Sequence, residues 1–335
     1  MQINALKGDR KMSIRPRLCR SLLCGLLAAS LATAAFAAQG AVLSDGVVVD
    51  AVHSIAYVMH PKGGVQAVDL QSGALLWRSM AAERPLAVTG DLLVAQARPG
   101  EHGELRIVTL DLRKRGAASA EAALPMPAGV RAEVGETVEG AFHVAASASA
   151  EGIVVAWDAQ EMPNLPRHRV ARLGEAKAAA GAEPEGFHQG TAAFDPRSGR
   201  LLPMKSAGAQ AASAWPAVAS LSSPAAAERL FGSADGRHVL ASRRVGDIGS
   251  AAPYRWTITD AASGAVLGSV RAAVSMSPFA VAGTRLVYVA QPATRRDGEK
   301  WIEEPLRLRA VDLATGREVW TREIRDTAFR GPFPL

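Results

Sequence analysis

The stretch Ala67-Val-Asp-Leu-Gln-Ser-Gly-Ala-Leu-Leu-Trp77 is nearly repeated far downstream as Ala310-Val-Asp-Leu-Ala-Thr-Gly-Arg-Glu-Val-Trp320, with six of eleven positions identical. In both copies, Ala-Val-Asp-Leu predicts a short strand, and Asp-x-x-Ser/Thr-Gly predicts a turn with a glycine at positive φ. The apolar run ending in Trp predicts the returning strand. Because one hairpin cannot bury its own apolar face, two distant copies indicate an array of sheets that share a core.

Weaker copies of the same turn occur between the two strong ones. Asp195-Pro-Arg-Ser-Gly199 and Asp260-Ala-Ala-Ser-Gly264 keep the Asp-to-Gly offset, while Asp111-Leu-Arg-Lys-Arg-Gly116 is one residue longer. Two further apolar runs around another polar turn precede each copy, which makes a four-stranded antiparallel meander. The sequence therefore predicts an all-β β-propeller with about five four-stranded blades, or six if the 84-residue interval from Asp111 to Asp195 holds another.

The repeat resembles the pyrroloquinoline-quinone-like (PQQ-like, BamB-type) β-propeller repeat family, whose units place an aliphatic-Tyr-Val segment before Ala-aliphatic-Asp-x-x-Thr-Gly-x-x-x-Trp. Tyr57-Val58 and Tyr288-Val289 precede the two strong copies in this way. The resemblance covers about 47–321 and implies the propeller fold. The family includes quinone-dependent dehydrogenases, outer-membrane-assembly lipoproteins and other exported propellers, so the resemblance does not imply an enzyme.

The repeat positions are predicted to be structural. We expect the aspartates to cap the turns, the glycines to supply positive φ, and the tryptophans to pack between blades, because they carry the largest apolar area. These positions are Asp69, Gly73, Trp77, Asp195, Gly199, Asp260, Gly264, Asp312, Gly316 and Trp320.

Residues 1–37 have the order of a secretory signal peptide. A basic stretch precedes an apolar run that ends in Ala35-Phe-Ala37, which predicts cleavage after Ala37 and a single mature propeller domain, 38–335, in the periplasm or secreted. Whether translation starts at Met1 or Met12 is open. Cys24 follows a leucine where a lipoprotein signal needs a small residue, so no lipid anchor is expected. No later apolar run approaches the length of a membrane span, so no transmembrane segment is expected in the mature chain.

Charge and cysteine content narrow the partner classes. The formal charge is +6, but six of the Lys and Arg residues and only one acidic residue lie in 1–37. The mature chain is therefore close to neutral, which argues against a nucleic-acid partner. Both cysteines, Cys19 and Cys24, lie in the same leader, so no disulfide is expected.

The connections between second and third strands of the units vary most in length, with the longest predicted as a loop insertion at 161–189. Variable loops on a rigid scaffold are where binding residues concentrate, so this face is the predicted functional surface. Tolerated insertions without function, and a plain hairpin at 295–304, are the alternatives. The candidate partner-binding residues are Arg167, His168, Arg169, Phe187, His188, Arg295, Arg296 and Trp301.

Catalytic motifs are missing from the sequence. It has no Gly-rich phosphate loop, His-Glu-x-x-His or Gly-x-Ser-x-Gly, and His168 and His188 match no compact metal-ligand spacing. No catalytic residue, metal site or cofactor is therefore predicted. PQQ is not expected, because the resembling alcohol dehydrogenases use a vicinal disulfide and an eight-bladed ring, and this sequence predicts neither.

Two functions stay open. The first is an exported, non-catalytic propeller that binds a protein or a cell-envelope component as a scaffold. The alternative is a periplasmic quinoprotein-like oxidoreductase with its site on the propeller axis. The sequence favours the first without deciding whether the protein is an enzyme.

The leader generates the first testable prediction. Expression in a Gram-negative host is expected to give a mature protein that begins at Ala38, because the basic, apolar and Ala-x-Ala segments are read in that order by the export machinery and its peptidase. N-terminal sequencing and intact mass measure this outcome. A mature chain that starts at a lipid-modified Cys24 would overturn both the cleavage site and the absence of an anchor.

Overall fold

The computed structural model describes residues 40–136, 140–149, 152–161, 186–203, 220–221, 228–247, 250–290, 294–297 and 300–327. The predicted signal peptide and the candidate residues 167–169 lie outside these ranges. Only strands, turns and bends occur in the described part of the chain, which holds no helix long and apolar enough to cross a membrane.

The strands form five antiparallel sheets, numbered here in chain order, and one separate ribbon. Sheet 1 contains β1 (Ala41–Ser44), β2 (Val47–Asp50), β3 (Ile55–Met59), β4 (Val65–Asp69) and β5 (Leu75–Ser79). Sheet 2 contains β6 (Arg84–Thr89), β7 (Leu92–Gln96), β8 (Leu105–Asp111) and β9 (Ala117–Leu124). Sheet 3 contains β10 (Gly135–Glu136), β11 (Gly140–Ala148), β12 (Ile153–Glu161), β13 (Phe187–Phe194) and β14 (Leu201–Leu202).

Sheet 4 contains β15 (Ser220–Leu221), β16 (Glu228–Gly232), β17 (His238–Arg244), β18 (Tyr254–Asp260) and β19 (Val266–Ala272). Sheet 5 contains β20 (Phe279–Ala282), β21 (Arg285–Ala290), β24 (Arg307–Asp312) and β25 (Glu318–Glu323), while β22 (Thr294–Asp297) and β23 (Lys300–Glu303) pair only with each other. The prediction of an all-β chain built from four-stranded antiparallel units is confirmed. Three sheets carry one further short strand, β1, β10 or β15, ahead of the meander.

Sheets 1 and 2 are buried on both faces, because each has a neighbouring sheet on either side. Successive side chains of a strand point to opposite sides and so pack on different neighbours. In sheet 1, Val48 packs toward sheet 2, whereas its neighbour Val49 packs toward sheet 5. In sheet 2, Leu93 likewise faces sheet 1 and Val94 faces sheet 3. The inner strands of sheets 1 and 2, such as β2, β3 and β7, are therefore almost continuously buried. Outer strands such as β9 and β19, and inner strands of sheet 4 such as β17 and β18, alternate instead.

Four apolar clusters join neighbouring sheets. They connect sheet 1 with 2, sheet 2 with 3, sheet 4 with 5, and sheet 5 with 1. None of the four joins sheets 3 and 4, where 204–219 and 222–227 lie outside the described residues. The last sheet thus packs on the first, as a ring requires.

The two repeated tryptophans make the same contact between different pairs of sheets. Trp77 on β5 of sheet 1 lies over Gly116 of sheet 2, where an added Cβ would approach the indole to 2.4 Å. Trp320 on β25 of sheet 5 lies over Gly73 of sheet 1, where an added Cβ would come within 2.6 Å of the indole Cγ. The Trp320 Nε1 also donates to the carbonyl oxygen of Leu70 at 3.0 Å.

In other pairs of sheets, the backbone of the outer strand contacts the turn of the neighbouring sheet directly, without a tryptophan. Gly268 occupies the tryptophan position of sheet 4, and a Cβ there would lie 2.0 Å from the carbonyl oxygen of Leu313 on sheet 5. In sheet 3, the turn residue Gly199 sits against the carbonyl oxygen of Glu121 on β9 of sheet 2. At every one of these contacts, the outer strand of one sheet meets the Asp-to-Gly turn of the next.

The turn aspartates cap their own turns. Asp69 Oδ1 accepts from the Ser72 amide and hydroxyl, at 2.7 and 2.6 Å. These hydrogen bonds hold the pKa of Asp69 below its usual value, because they stabilise the carboxylate. Asp195, Asp260 and Asp312 accept equivalent bonds and have lowered pKa values for the same reason. The turn glycines at 73, 199, 264 and 316 have φ between 67° and 73°.

The chain leaves sheet 5 as an extended segment, Ile324–Thr327, which we call the strap. Ile324 is buried in the cluster between sheets 5 and 1, and the Arg325 amide donates to the Met59 carbonyl oxygen of sheet 1 at 3.0 Å. The Thr327 carbonyl oxygen reaches Gly135 of sheet 3, 2.9 Å from where a Cβ would stand. The strap therefore crosses from sheet 5 over sheet 1 to sheet 3.

The shared contact of the tryptophans predicts their stability effects. We expect Trp77→Ala and Trp320→Ala each to destabilise the fold by about 3 kcal/mol, the low end for truncating a large buried aromatic, because both indoles are only partly buried. Matched controls are Leu75→Ala on β5 and Val319→Ala on β25, whose side chains are exposed. Thermal and urea unfolding measure the difference. Either tryptophan variant melting with its control would show that this position is not a packing position.

Candidate functional site

The meander places its connections on two opposite faces. The turns between first and second strands and between third and fourth strands share one face, here the turn face. There the amides of Leu70, Leu112 and Leu313 donate to carbonyl oxygens of the neighbouring inner turn. The second and third strands of each meander end at the other face, which also holds the links between sheets; in sheets 1 and 2 these strands are joined there by 60–64 and 97–104. We call it the long-loop face.

The predicted binding residues are distributed over two separate elements of the long-loop face. Phe187 and His188 lie in β13, so that strands occupy both ends of the predicted 161–189 loop: Glu161 ends β12, and 187–189 pair with it. Both side chains are half-buried. Arg295 and Arg296 lie in β22 and Trp301 in β23, with Arg296 and Trp301 directly opposite in register.

Glu83 is the centre of an ion-pair cluster at the start of sheet 2. Its carboxylate is nearly buried and accepts from Arg98 Nε on one oxygen and from Arg325 Nη1 on the other, each at 2.6 Å. Burial raises the pKa of Glu83, but the two guanidinium groups outweigh it and hold the pKa below its usual value. Glu83 thereby ties the strap to sheet 2.

Arg84, the next residue, is wholly buried. It begins β6, and its strand contacts β1, β2, β3 and β11, so it lies among the first strands of three sheets. Its Nη1 is 3.4 Å from Asp45 Oδ1 in the β1–β2 turn, and none of its three guanidinium nitrogens makes a hydrogen bond. Burial lowers the pKa of Arg84 from its very high value, yet an arginine stays charged in a protein.

A cleft of about 420 Å³ opens beside the strap at the seam between sheets 5 and 1. Its wall includes the cations Lys62 and Arg322, the carboxylate Glu323 and the His60 ring, and Arg78 lies close by. Burial and these surrounding cations lower the pKa of His60, so the ring favours its neutral form. The seam cleft is therefore a basic depression on the long-loop face.

The turn face has a cleft of about 580 Å³ between sheets 4, 5 and 1, lined by Asp235, His238 and Asp260 among others. Burial alone would raise the pKa of Asp235. The nearby His238 ring, the Ser233 hydroxyl and the Arg237 amide outweigh burial and hold the pKa at about 2. Ser233 Oγ donates to Asp235 Oδ1 at 2.5 Å, and His238 Nδ1 stands 3.9 Å from the same oxygen. The carboxylates of Asp235 and Asp260 thus accept hydrogen bonds within their own turns, so these two cleft residues serve to hold the turns.

Asp158 on β12 of sheet 3 is a further carboxyl with a shifted pKa, and His143 lies directly opposite it on β11. Burial raises the pKa of Asp158, and the His143 charge only partly offsets this. Among the described residues, no group of three or more histidine, cysteine, aspartate or glutamate side chains is placed to hold a metal ion.

Sequence reasoning missed Glu83, Arg84 and Arg325. The pair Glu83-Arg84 precedes an apolar strand and looks like an ordinary polar link between two units. Arg325, which pairs with Glu83, is 242 residues away in the sequence, so no local spacing indicates the cluster. The only local sign was an arginine placed directly before the apolar residues Pro85-Leu86-Ala87-Val88.

Comparisons with known proteins give structural likeness at low identity. The chain is similar to BamB from Moraxella catarrhalis (TM-score 0.26, 13% identity, 82% of this chain and 62% of that chain). It is also similar to the Cps50 (Swd1) β-propeller domain of Myceliophteria thermophila (0.23, 14%, 85% and 89%) and to the computationally designed Ika8 protein (0.21, 12%, 83% and 75%). No family model matches the chain, and no curated protein matches its sequence. The chain thus spans less than two thirds of that BamB chain, and scores this low carry no inference about function.

The lowered pKa of Asp235 predicts how its substitution depends on pH. A carboxyl whose folded pKa, about 2, lies below its unfolded value contributes stability above the unfolded pKa and loses it as pH falls toward the folded one. We therefore expect Asp235→Asn to be less stable than wild type at pH 7, with a difference that shrinks between about pH 5 and pH 2.

Chemical unfolding at several pH values measures this difference. The matched control is Asp247→Asn, in the connection between β17 and β18 of the same sheet, where the side chain is exposed. A stability difference that stays constant down to pH 2 would contradict the stabilising role of the ionised Asp235.

Proposed function

We propose that this protein is an exported, non-catalytic β-propeller of the PQQ-like type that binds a protein or a cell-envelope component through its long-loop face. The observation that carries the proposal is the ribbon β22–β23. It is inserted between β21 and β24 of sheet 5 and forms a two-stranded sheet of its own among the described strands.

An isolated two-stranded ribbon is marginally stable in water, and its outer edges present unpaired backbone groups. Such edges are templates for strand addition, in which a partner's extended segment supplies the missing hydrogen bonds. The ribbon carries Arg295, Arg296 and Trp301, and arginine and tryptophan are residue types that contribute most to binding energy at protein interfaces. The ribbon therefore combines open backbone edges with anchor side chains.

The rest of the face suits a binding platform. The basic seam cleft with Lys62 and Arg322 lies on the same face, and the strap pins sheets 5, 1 and 2 through Arg325 and Glu83. Charge complementarity favours an acidic partner surface at the cleft. We place the protein in the periplasm or outside the cell, because its leader has the order of a secretory signal.

We further propose that the five sheets close into one ring. Sheet 5 already packs on sheet 1 through Trp320, in the manner in which sheet 1 packs on sheet 2 through Trp77. The first strands gather in the middle, since β6 contacts both β2 and β11. A closed ring leaves no apolar sheet face exposed at either end.

The oxidoreductase alternative is tested by a different assay. The purified chain would be incubated with PQQ and Ca²⁺, and dye reduction followed with alcohols and aldose sugars. We expect no quinone-dependent turnover. Saturable, quinone-dependent reduction would replace the scaffold proposal with the enzyme.

Removal of the ribbon tests the binding proposal. A variant with 294–303 replaced by a two-glycine bridge is expected to keep the wild-type melting temperature, because the ribbon pairs with no other described strand. It should lose envelope partners captured by wild type, with a Kd for the purified partner at least about tenfold weaker.

The matched control on the opposite face is His53→Ala, whose exposed ring lies in the β2–β3 turn. Quantitative pulldown from envelope extract, followed by binding measurements on the purified partner, separates the two variants. A ribbon deletion that folds and still binds every partner would move the site away from the ribbon.

A further inference from the structure

We propose that Arg84 and Gln96 enclose a small inorganic oxyanion with one protonated oxygen, of the hydrogen-phosphate or bicarbonate class, among β1, β6 and β7. This site is internal and separate from the partner-binding surface proposed above. It rests on unpaired polar atoms of two wholly buried side chains.

The donors come from Arg84. Its side chain is 0% exposed, and Nε, Nη1 and Nη2 all lack a hydrogen-bond acceptor. Buried polar groups are nearly always paired, and an unpaired buried charge is among the most costly features a fold can contain. The planar guanidinium fork matches two oxygens of one oxyanion, which would satisfy several of its donors at once.

The acceptor comes from Gln96. It is directly opposite Arg84 in the β6–β7 register, so the two side chains lie on the same side of sheet 2. Its Nε2 donates to the Ala132 carbonyl oxygen at 2.8 Å, which fixes the amide orientation, and its buried Oε1 is left without a donor. A ligand that fits must therefore accept from Arg84 and donate to Gln96.

The surrounding charges favour an anion. Arg84 pairs with the Asp45 carboxylate, whereas Arg98 and Arg325 both pair with the Glu83 carboxylate. Both oxygens of Glu83 are used by Arg98 and Arg325, and the Asp45 oxygen stands 3.4 Å from Arg84 without hydrogen-bond geometry. In these ion pairs three guanidinium groups share two carboxylates, and the Arg84 donors are the ones left without an acceptor. An anion bound to Arg84 would offset the excess positive charge.

The full enclosure of both side chains limits the ligand to a small ion. Chloride and sulfate have no proton to donate to Gln96 at neutral pH, whereas hydrogen phosphate and bicarbonate carry both acceptor oxygens and an O–H group. The shared chemistry is a protonated oxyanion. Separate titrations with phosphate and with bicarbonate distinguish the two sources.

Thermal unfolding of the full purified chain in a buffer free of these anions provides the first measurement, at constant ionic strength. We expect phosphate or bicarbonate to raise the melting temperature saturably, by roughly 4 to 8 °C at a hundredfold excess over Kd, and chloride or sulfate not to. The response should vanish in Arg84→Met. It should persist in Arg113→Met, the control, whose exposed guanidinium lies in the Asp111–Gly116 turn of the same sheet, outside this cluster.

A variant of a buried arginine can fail to fold, so a second measurement uses wild type alone. Crystals grown with arsenate, the hydrogen-phosphate analogue, are expected to show an anomalous peak within hydrogen-bond distance of Arg84 and Gln96. Water alone at that place, a melting temperature that does not distinguish the four anions, or an anion response unchanged in Arg84→Met would each overturn the proposal. Binding of chloride at this place would also overturn the assignment to a protonated oxyanion.

Discussion

The contact of a tryptophan with the turn glycine of the next sheet sets the arrangement of this fold. Between sheets 1 and 2 this contact joins residues close in sequence, since the adjacent hydrogen bond from Arg115 to the Leu76 carbonyl oxygen spans 39 residues. Between sheets 5 and 1 the hydrogen bond from Trp320 to the Leu70 carbonyl oxygen spans 250 residues. Loop-closure entropy grows as about 1.5 RT ln n, so the longer separation costs roughly 1.6 kcal/mol more. Burying much of an indole is worth about as much or more. The two units that meet where sheet 5 packs on sheet 1 therefore carry the best-preserved copies of the motif, whereas Gly268 of sheet 4 makes this contact through backbone atoms.

Local parts of this design are readable from sequence because their causes are local. An aspartate whose carboxylate accepts from residues two and three positions on, followed by a glycine at positive φ, closes a hairpin whatever surrounds it. The longer Asp111–Gly116 copy looked weak, yet it forms the same turn, with Arg115 joining Gly116 at positive φ to take up the additional residue. The short strands β1, β10 and β15 were not predicted, because two to four residues carry no periodicity and their pairing depends on a neighbour already in place.

Long-range partners set the limit of the sequence interpretation. The strap and the Glu83 cluster join residues 242 apart, and a single arginine after the last strand gives no sign of which carboxylate it will meet. The bounds of the predicted binding loop differ from the structure because of a pairing between nearby segments. Phe187 and His188 look like loop residues beside a polar, alanine-rich stretch, but they pair with β12 and form part of β13. In contrast, the plain hairpin that the sequence analysis gave as an alternative at 295–304 agrees with the structure, where β22 pairs with β23.

The position of Arg84 follows from the way the first strands of neighbouring sheets pack together. Besides its own sheet, the first residue of β6 is covered by the additional strand β1 and its Asp45 turn. Replacing a buried, poorly paired charge with an apolar side chain is often neutral or stabilising, so such an arginine brings no stability of its own. Its neighbour Glu83 holds the strap, and the strap joins sheet 5 to sheets 1 and 3, so the charge lies where these sheets and the strap meet. A ligand that neutralises Arg84 would therefore stabilise this junction, and with it the packing of sheet 5 on sheet 1 to which Trp320 contributes.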